Sequence, residues 1–551
     1  MKAKRLAFTL AAVMAFVTAC SSNEGTTDTA SKTGPSVSGA SDAVQSGPFD
    51  RYDQPVTLTL GKMVSTQNTN LPSGDTVDKN EYYRYIEKKL NVKVTHDWQV
   101  ETPDAYAQKL SVSIASRQLP DAFIVDEKQL HQLVEADLIE DLTQVYATTA
   151  SPLVKSYYES YGDRVLSRAT FDGKLMAFPD TQIAGQHILT WIRQDWLDNL
   201  KLKTPETLDE LAAVAKAFVE NDPDGNNRKD TYGFVGSSAL SGWGTFFGFD
   251  PIFGAMHAYR GQWLRDASGN VSYSSILPEM KIALAKLHEF YRDGILDKEF
   301  AIRGDQNELV ASGKVGIVFA PWWIPYAAFA DTIKNDPKAE WIPHSAPLDA
   351  DGKFNIYDQN PTAKFLVVKK GYAHPEAIAK VLNVEYEGMR GRDPESRDIY
   401  KGMNVSWTNW PFNLQLDFEN IVYDSYLELK KALDAKDPSS LNEQYKPWYE
   451  AVMKNNQNPK KDVAAWAEAT ARTFAAPETK SDKIDIVRNV FFGQTKSMEL
   501  KWATLQKLES ETFLKIILGE EPADKFDDFV KDWKRLGGDQ ITQEVADAIQ
   551  K

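Results

Sequence analysis

An acidic segment at residues 222–230 has side-chain oxygens at a spacing that could bind a hard cation. Asp222, Asp224, Asn226 and Asp230 occupy the first, third, fifth and ninth positions of this loop, and the carbonyl of Arg228 can add a fifth oxygen. Alternate positions point inward when a chain curls around an ion. The pattern therefore predicts an EF-hand-like calcium loop, and we expect the ion to be structural because no acid–base partner accompanies it.

Two positions of this loop depart from the EF-hand pattern. Gly225 falls at the fourth position, where the pattern places glycine at the sixth, and Gly233 stands where a bidentate glutamate is usual. A polar surface turn without a metal is the alternative interpretation.

The first twenty residues could be processed and carry a lipid. Basic residues at 2–5 precede an apolar run at 6–17, and the small residues of Val17-Thr-Ala lead into Cys20, the only cysteine of the chain. This order predicts a lipoprotein signal peptide at 1–19, a diacylglycerol thioether on Cys20 and anchoring at the extracellular face of the membrane. An ordinary cleaved signal with a chance cysteine is the alternative. Residues 20–50 contain few large apolar side chains and are expected to be a flexible tether.

Residues typical of covalent or metal-dependent catalysis do not form a recognisable pattern. The sequence contains no Gly-x-Ser-x-Gly, no His-Glu-x-x-His and no phosphate-binding loop. Its seven histidines, at 96, 131, 187, 257, 288, 344 and 374, lack ligand spacing. The net charge of −15 argues against binding nucleic acid.

Alternating strands and helices must position the residues of any ligand-binding site. Strands at 56–60, 92–98 and 122–125 alternate with helices at 79–90 and 103–116, which predicts a parallel sheet covered by helices. Ligands of such sheets bind beyond the carboxyl ends of the strands, here the loops 61–70 and 126–129. These loops contribute Gln67 and Asp126 as candidates.

A second set of elements follows. Strands are predicted at 188–193, 313–319 and 363–369, and helices at 207–221, 280–293 and 375–384. Beyond about residue 418 the pattern is almost entirely helical.

Several segments, in this order, resemble the family-1 extracellular solute-binding proteins, and among them the alginate- and aldouronate-oligosaccharide binders. The matching segments are Leu119-Pro-Asp121, residues 192–198 with Pro205 and Thr207, residues 222–230, Gly313–Trp323, His374-Pro-Glu-Ala377, and residues 526–545 near the end. The family commonly has an acidic residue where this chain has Thr231. The sequence therefore does not identify the last calcium ligand, for which Thr231 is the candidate.

The resemblance implies an α/β periplasmic-binding-protein-like fold of two lobes with a ligand cleft, hinge strands and a helical C-terminal region. Lobe one would comprise 51–183 and 365–415, and lobe two 184–364 and 416–551. It also implies a monomer that binds an oligosaccharide and delivers it to the permease and ATPase subunits of an ABC importer.

Sugar rings stack on flat aromatic side chains, so tryptophans in loops are the candidate platforms. Similar proteins place a stacking tryptophan where this chain has Trp322 and Trp323. Trp407 and Trp410 lie in a polar segment, and Trp243 lies between glycines that permit close approach. The tryptophans 191, 196, 466, 502 and 533 fit core patterns.

Polar side chains must complete such a site. Gln186 lies at an expected lobe crossing, and Arg193 or Arg260 could pair with a uronate carboxylate. The sequence does not decide between neutral and uronate-containing ligands. A secreted glycoside hydrolase or lyase is the alternative function, but nothing in the sequence selects a pair of catalytic carboxylates.

Overall fold

The computed structural model describes residues 47–64, 71–242, 245–403, 409–412 and 414–549. All of them belong to one compact unit that begins after Gln45. Four predicted functional residues, Cys20, Gln67, Trp243 and Trp407, lie outside the described residues.

The strands, in chain order, are β1 Val56–Met63, β2 Val92–Val100, β3 Ala122–Val125, β4 Thr170–Phe171, β5 Lys174–Leu175, β6 Phe178–Pro179, β7 Leu189–Arg193, β8 Tyr232–Phe234, β9 Trp263–Arg265, β10 Val271–Tyr273, β11 Val315–Ala320, β12 Trp341–His344, β13 Phe354–Tyr357, β14 Phe365–Val368 and β15 Ile484–Val487.

The helices are α1 Glu81–Leu90, α2 Pro103–Ser116, α3 Glu127–Glu135, α4 Thr143–Thr149, α5 Pro152–Glu159, α6 Gln194–Leu200, α7 Leu208–Glu220, α8 Asp250–Ala255, α9 Pro278–Arg292, α10 Gln306–Ala311, α11 Ala328–Asn335, α12 Glu376–Met389, α13 Pro394–Met403, α14 Ile421–Ala435, α15 Lys446–Gln457, α16 Val463–Ala469, α17 Ala476–Glu478, α18 Lys496–Leu518, α19 Lys525–Trp533 and α20 Asp539–Ala548. Of the helices in the described part of the chain, none has the length and apolar character needed to span a membrane.

The first sheet has the strand order β2-β1-β3-β14-β6. Its first three strands are parallel, whereas β14 runs antiparallel between β3 and β6. Alternate side chains of a strand face opposite sides. Accordingly, Leu366 and Val368 pack with α1 and α12, while Phe365 and Val367 pack with α2 and α3. Both faces of this sheet are therefore buried.

The second sheet has the order β12-β7-β11-β8 and shows the same alternation. Ile317 and Phe319 of β11 pack with α7 and α9, and Val318 and Ala320 pack with α11 and α16. Helices α18 to α20 join the core on the α9 side. Two large α/β sheets, each covered by helices on both faces, agree with the predicted fold class.

One local prediction was wrong. Residues 127–129 begin α3, because Asp126 and Gln129 form a capping box that starts a helix where a loop was expected. The region beyond residue 418 is almost entirely helical, as predicted, but it also contains the short strand β15, which pairs in parallel with β13. The partner lies about 130 residues earlier in the chain, and a local periodicity carries no information about such distant pairing.

Candidate ligand-binding site

Three connections between the two sheets lie side by side, formed by residues 180–184, 360–364 and 415–419. The amide of Thr181 donates to the carbonyl of Gln415, and that of Ala184 donates to the carbonyl of Glu419, each at 2.7 Å. These bonds join the first connection to the third.

Asp180 joins the first connection to the second. Its carboxylate oxygen Oδ1 accepts from the hydroxyl of Thr362 at 2.8 Å and from the amides of Ala363 and Lys364 at 2.7 and 2.9 Å. Asp180 is almost completely buried, so these three bonds replace the water that its carboxylate loses. The connections therefore form a hydrogen-bonded hinge region between the sheets.

A cleft of about 820 Å³ opens beside this hinge region. Residues from both sheet regions line it: Asp180, Gln182, Ser241, Gly242, Arg260, Gly261, Gln262, Tyr273, Tyr357, Asp358, Gln359, Asn360, Ala363, Lys364, Gln415, Asn489, Phe492, Gln506, Glu509 and Ser510. Asn and Gln side chains donate and accept at once, as do hydroxyl groups. A lining rich in these amides, with Tyr and Phe rings, suits a ligand that carries many hydroxyls.

One wall of the cleft is a fixed polar cluster around Glu509. Its two carboxylate oxygens accept from Nε of Arg260 at 2.7 Å and from the hydroxyl of Tyr273 at 2.8 Å. Arg260 also donates through Nη1 to the carbonyl of Ala239 and through Nη2 to Ser510 at 2.8 Å. Every nitrogen of this guanidinium thus has a protein acceptor.

A second hollow, of about 510 Å³, adjoins the cleft and shares four residues with it. It is lined by Arg164, Ser167, Arg168, Asp358, Gln359, Pro361, Glu419, Arg488, Asn489 and Phe492. Asp358 lies between the two spaces and accepts from the amide of Asn489 at 2.6 Å. Burial raises the pKa of Asp358, and Arg488 opposes that effect.

A third, mostly apolar hollow of about 370 Å³ lies at the carboxyl ends of β1 and β3, where ligands of such sheets were expected. Lys62 lines it, and its amine donates to the carbonyl of Trp410 and, at 3.3 Å, to the hydroxyl of Tyr83. Burial lowers the pKa of Lys62 to about 8.

The structure brings two predicted site residues together. The indole N–H of Trp323 donates to the side-chain oxygen of Gln186 at 2.9 Å, and the ring of Phe246 lies 4.7 Å from the Trp323 ring. Trp323 is half-buried. Its neighbour Trp322 is only 7% exposed, and the guanidinium of Arg472 lies 4.9 Å from the centre of its ring.

None of these three predicted residues is among those that line the cleft, and two other candidates, Trp410 and Asp126, do not line it either. Trp410 is 3% exposed and stacks on Tyr82 at 4.0 Å, so its ring is part of the core below α1. Asp126 caps α3 through the amide of Gln129. The next residue, Glu127, accepts from Arg168 at 2.6 Å, so this end of β3 contacts the second hollow indirectly.

Arg193, considered as a partner for a carboxylate ligand, belongs to the core of the second sheet. It is 1% exposed and pairs with Asp195 and Asp336 at 2.6 and 2.8 Å. Arg260, the other arginine considered, does line the cleft. The five tryptophans assigned to the core are buried or packed against it, as predicted.

The predicted calcium loop forms a compact turn directly after α7. The side-chain amide of Asn226 donates to Asp224 at 2.8 Å and to Asp230 at 3.1 Å, so it lies between two of the candidate ligands. The carboxylate of Asp222 accepts from the amides of Asn226 and Asn227. Burial and the neighbouring carboxylates raise the pKa of Asp224, which is the response of acids crowded in one place.

The other candidate ligands of this loop are less suitable. The hydroxyl of Thr231 donates to the carbonyl of Phe218 at 2.6 Å and is buried, which assigns Thr231 to packing. Asp230 pairs with Lys314 at 3.0 Å. Across the residues that the structure describes, no group of three or more Asp, Glu, His or Cys side chains is arranged to hold a metal ion.

Most of the cleft residues were missed by reading the sequence. Gln182, Gln262, Tyr357, Gln506 and Glu509 come from five separate segments and show no local motif. The sequence did point to Arg260, which lines the cleft, and to a crossing near residue 184, which adjoins Gln182.

Residues 82–379, more than half of the chain, match the model of a family described as bacterial extracellular solute-binding protein. The chain therefore belongs to this family, and it is a solute-binding protein and not an enzyme.

Two curated relatives from Bacillus subtilis (strain 168) align with most of the chain. The polygalacturonan/rhamnogalacturonan-binding protein YtcQ is 24% identical over 86% of this chain and 89% of its own length. Lipoprotein LipO is 23% identical over 85% of this chain and 88% of its own length.

Solved structures share the fold at low sequence identity. An HMO-binding, ABC-transporter-associated solute-binding protein from Bifidobacterium longum infantis is 17% identical, with a TM-score of 0.62 over 90% of this chain and 98% of that one. The alginate-binding protein AlgQ2, solved without calcium ion, is 17% identical, with a TM-score of 0.58 over 91% and 99%. An EF-hand mutant of FusA from S. pneumoniae, complexed with fructo-nystose, is 17% identical, with a TM-score of 0.58 over 90% and 99%.

Proposed function

We propose that this chain is the extracellular substrate-binding lipoprotein of an ABC importer, which captures an oligosaccharide and delivers it to the permease. The proposed ligands include oligosaccharides that contain uronic acids. The observation that carries the proposal is the cleft of about 820 Å³ beside the hinge region, lined by amides from both sheet regions. Its size suits several sugar rings, and its amides match their hydroxyls. The polygalacturonan/rhamnogalacturonan-binding relative supports the same ligand class.

The proposed partners follow from this role. The permease and ATPase subunits of the importer receive the sugar, the chain acts as a monomer, and diacylglycerol on Cys20 anchors it to the membrane. The residues before Cys20 support the anchor, as does the lipoprotein name of one relative.

Trp323 is the proposed stacking platform of the site, with Gln186 holding its indole N–H. We also propose, with less support, that the ligand contacts Trp322, Trp243, Trp407 and Gln67. Trp322 has less support because its ring is almost fully covered by protein.

We also propose calcium in the loop at 222–230. Asp222, Asp224, Asn226 and Asp230 already surround one turn, and rotation of the Asn226 amide would turn its oxygen toward the two carboxylates that its nitrogen now contacts. The ion would tie the end of α7 to the following strand. The EF-hand mentioned for FusA supports this proposal.

Calorimetric titration tests the proposed function. The chain from Ser46 onward is titrated with neutral and uronic oligosaccharides, and the sugars are checked by chromatography afterwards. We expect micromolar or tighter binding of at least one intact sugar. Trp323→Ala should weaken that affinity by about tenfold or more through the lost stacking surface.

Neither tryptophan is among the residues that line the described cleft. Trp323 is tested because it contacts Gln186 and Phe246, and Trp448→Ala is the control because its ring stacks on Tyr445 instead. Absence of binding across the panel, or equal effects of both substitutions, would count against the proposal.

A further inference from the structure

The second hollow beside the cleft contains three guanidinium groups, and we call it the arginine hollow after Arg164, Arg168 and Arg488. Arg164 and Arg168 lie on short 3-10 turns of the first sheet region, whereas Arg488 directly follows β15 beside the second sheet region. The hollow is therefore built from both sides of the hinge region, as the cleft is.

Arg168 is held firmly but uses few of its donors. Both of its hydrogen bonds in the described structure leave from Nη2, to Glu127 at 2.6 Å and to the carbonyl of Phe492 at 3.2 Å. Its Nε–H is buried, and no acceptor for it lies within hydrogen-bond distance among the described residues. Burial lowers the pKa of Arg168, so this cation has lost part of its water. An anion that binds to Arg168 would replace the stabilisation of its charge that water no longer provides.

The other two arginines keep unused donors as well. Arg488 contacts Asp358 through Nη1 at 3.3 Å, and its side chain is 63% exposed. Arg164 donates through Nε to the carbonyl of Tyr161 at 3.1 Å and through Nη2 to Glu419. These partners orient the guanidiniums without using the whole fork of either one.

The arginine hollow is formally neutral in a molecule that is strongly acidic. Each of its arginines pairs with one carboxylate: Arg164 with Glu419, Arg168 with Glu127 and Arg488 with Asp358. The whole chain has a net charge of −15. A neutral patch that keeps unused N–H donors repels an anion less than the rest of such a surface does.

Besides the exposed Lys364, whose single ammonium lacks the paired donors of a guanidinium, the cleft offers only Arg260 as a cation among the described residues. Arg260 has protein acceptors on Nε, Nη1 and Nη2, so it positions Glu509 and Ser510. The arginine hollow shares Asp358, Gln359, Asn489 and Phe492 with the cleft. A chain of sugar rings in the cleft can therefore extend into the hollow.

We infer that the arginine hollow binds the carboxylate of a uronic acid residue in an oligosaccharide whose other rings occupy the cleft, an inference that rests on the proposed function. Arg168 and Arg488 would supply paired N–H donors, and Gln359 and Asn489 would bind ring hydroxyls. The site would then discriminate an acidic sugar from a neutral sugar of the same shape.

Trigalacturonate and its methyl ester test this inference, because they differ in charge and share their rings. Both are titrated calorimetrically into the chain from Ser46 onward, at low and at high salt. We expect the acid to bind about tenfold or more tightly than the ester at low salt, and less so at high salt. Arg488→Gln and Arg168→Gln should bring the ratio of the two affinities close to one and leave ester binding within about twofold.

Arg535→Gln is the matched control, since Arg535 is exposed and pairs only with Asp532 in the described structure; it should behave as the unmodified chain. Because Arg488 is largely exposed, its variant keeps the test valid if Arg168→Gln unfolds. Equal binding of acid and ester, an equal loss of both ligands in the arginine variants, or binding of neither ligand would overturn the inference. Equal binding would leave the proposed function standing, whereas failure of every neutral and acidic oligosaccharide would also refute that function.

Discussion

Several side chains of the cleft are fixed before any ligand binds. Asp180 accepts three hydrogen bonds from the second connection, and Glu509 is held by Arg260 and Tyr273. Groups fixed in this way lose little conformational freedom on binding, so more of their interaction energy appears as affinity. At the residue scale the site is preorganised around its buried charges.

His187, which follows Gln186, gives a pH-dependent stability. Its ring is buried, its Nε2 has no partner among the described residues, and burial lowers its pKa to about 4 from an ordinary 6.5. The imidazole of His187 binds a proton more strongly in the unfolded chain than in the folded one. The stability that its neutral, buried ring allows is therefore fully present above about pH 6.5 and is lost as the pH falls toward 4. At about 1.4 kcal/mol per pKa unit, the loss is roughly 3 kcal/mol.

Denaturant unfolding at several pH values measures this effect. His187→Gln should flatten the decline of the unfolding free energy between about pH 6.5 and pH 4. His374→Gln, at a partly exposed histidine, should leave the decline as it is in the unmodified chain. If the unfolding free energies of the two variants decline equally over this pH range, the account of His187 is wrong.

At the element scale, sequence patterns predicted the helices and strands that depend on local sequence. Helix α2 and strand β3 have the predicted bounds, and α7 starts at the capping box of Thr207 and Glu210. Trp410 shows the limit: its polar neighbours in sequence suggested a ring outside the core, but the ring is buried and stacks on Tyr82, more than 300 residues away in the chain. Burial depends on such distant partners, which no local pattern contains.

The calcium loop is the prediction that belongs to this scale. If the loop after α7 binds the ion, millimolar calcium should raise the melting temperature, since a ligand at about 100 times its Kd adds about 2.7 kcal/mol to the free energy of unfolding. Asp224→Asn should abolish that increase. Asp266→Asn should not, because Asp266 forms a similar Asp–Asn turn with Asn270 outside the loop. A calcium effect that persists in Asp224→Asn would place the ion elsewhere.

At the scale of the whole molecule, the cleft depends on three connections that are far apart in sequence. The sequence placed these crossings near 184, 365 and 416 but identified few of the side chains around them. Gln182, Tyr357 and Gln506 meet only because the two sheets are joined at the hinge region. The fold class and the family could be predicted from ordered local motifs, whereas the site required the assembled chain.

The location of a bound sugar tests the central claim most directly. The measurement is a crystal structure of the chain with an oligosaccharide that binds in the calorimetric panel. The account predicts density for an intact sugar in the cleft, in contact with Gln182, Tyr357 and Gln506 on the two sides of the hinge region. Density on another surface, with the cleft filled only by solvent, would contradict it.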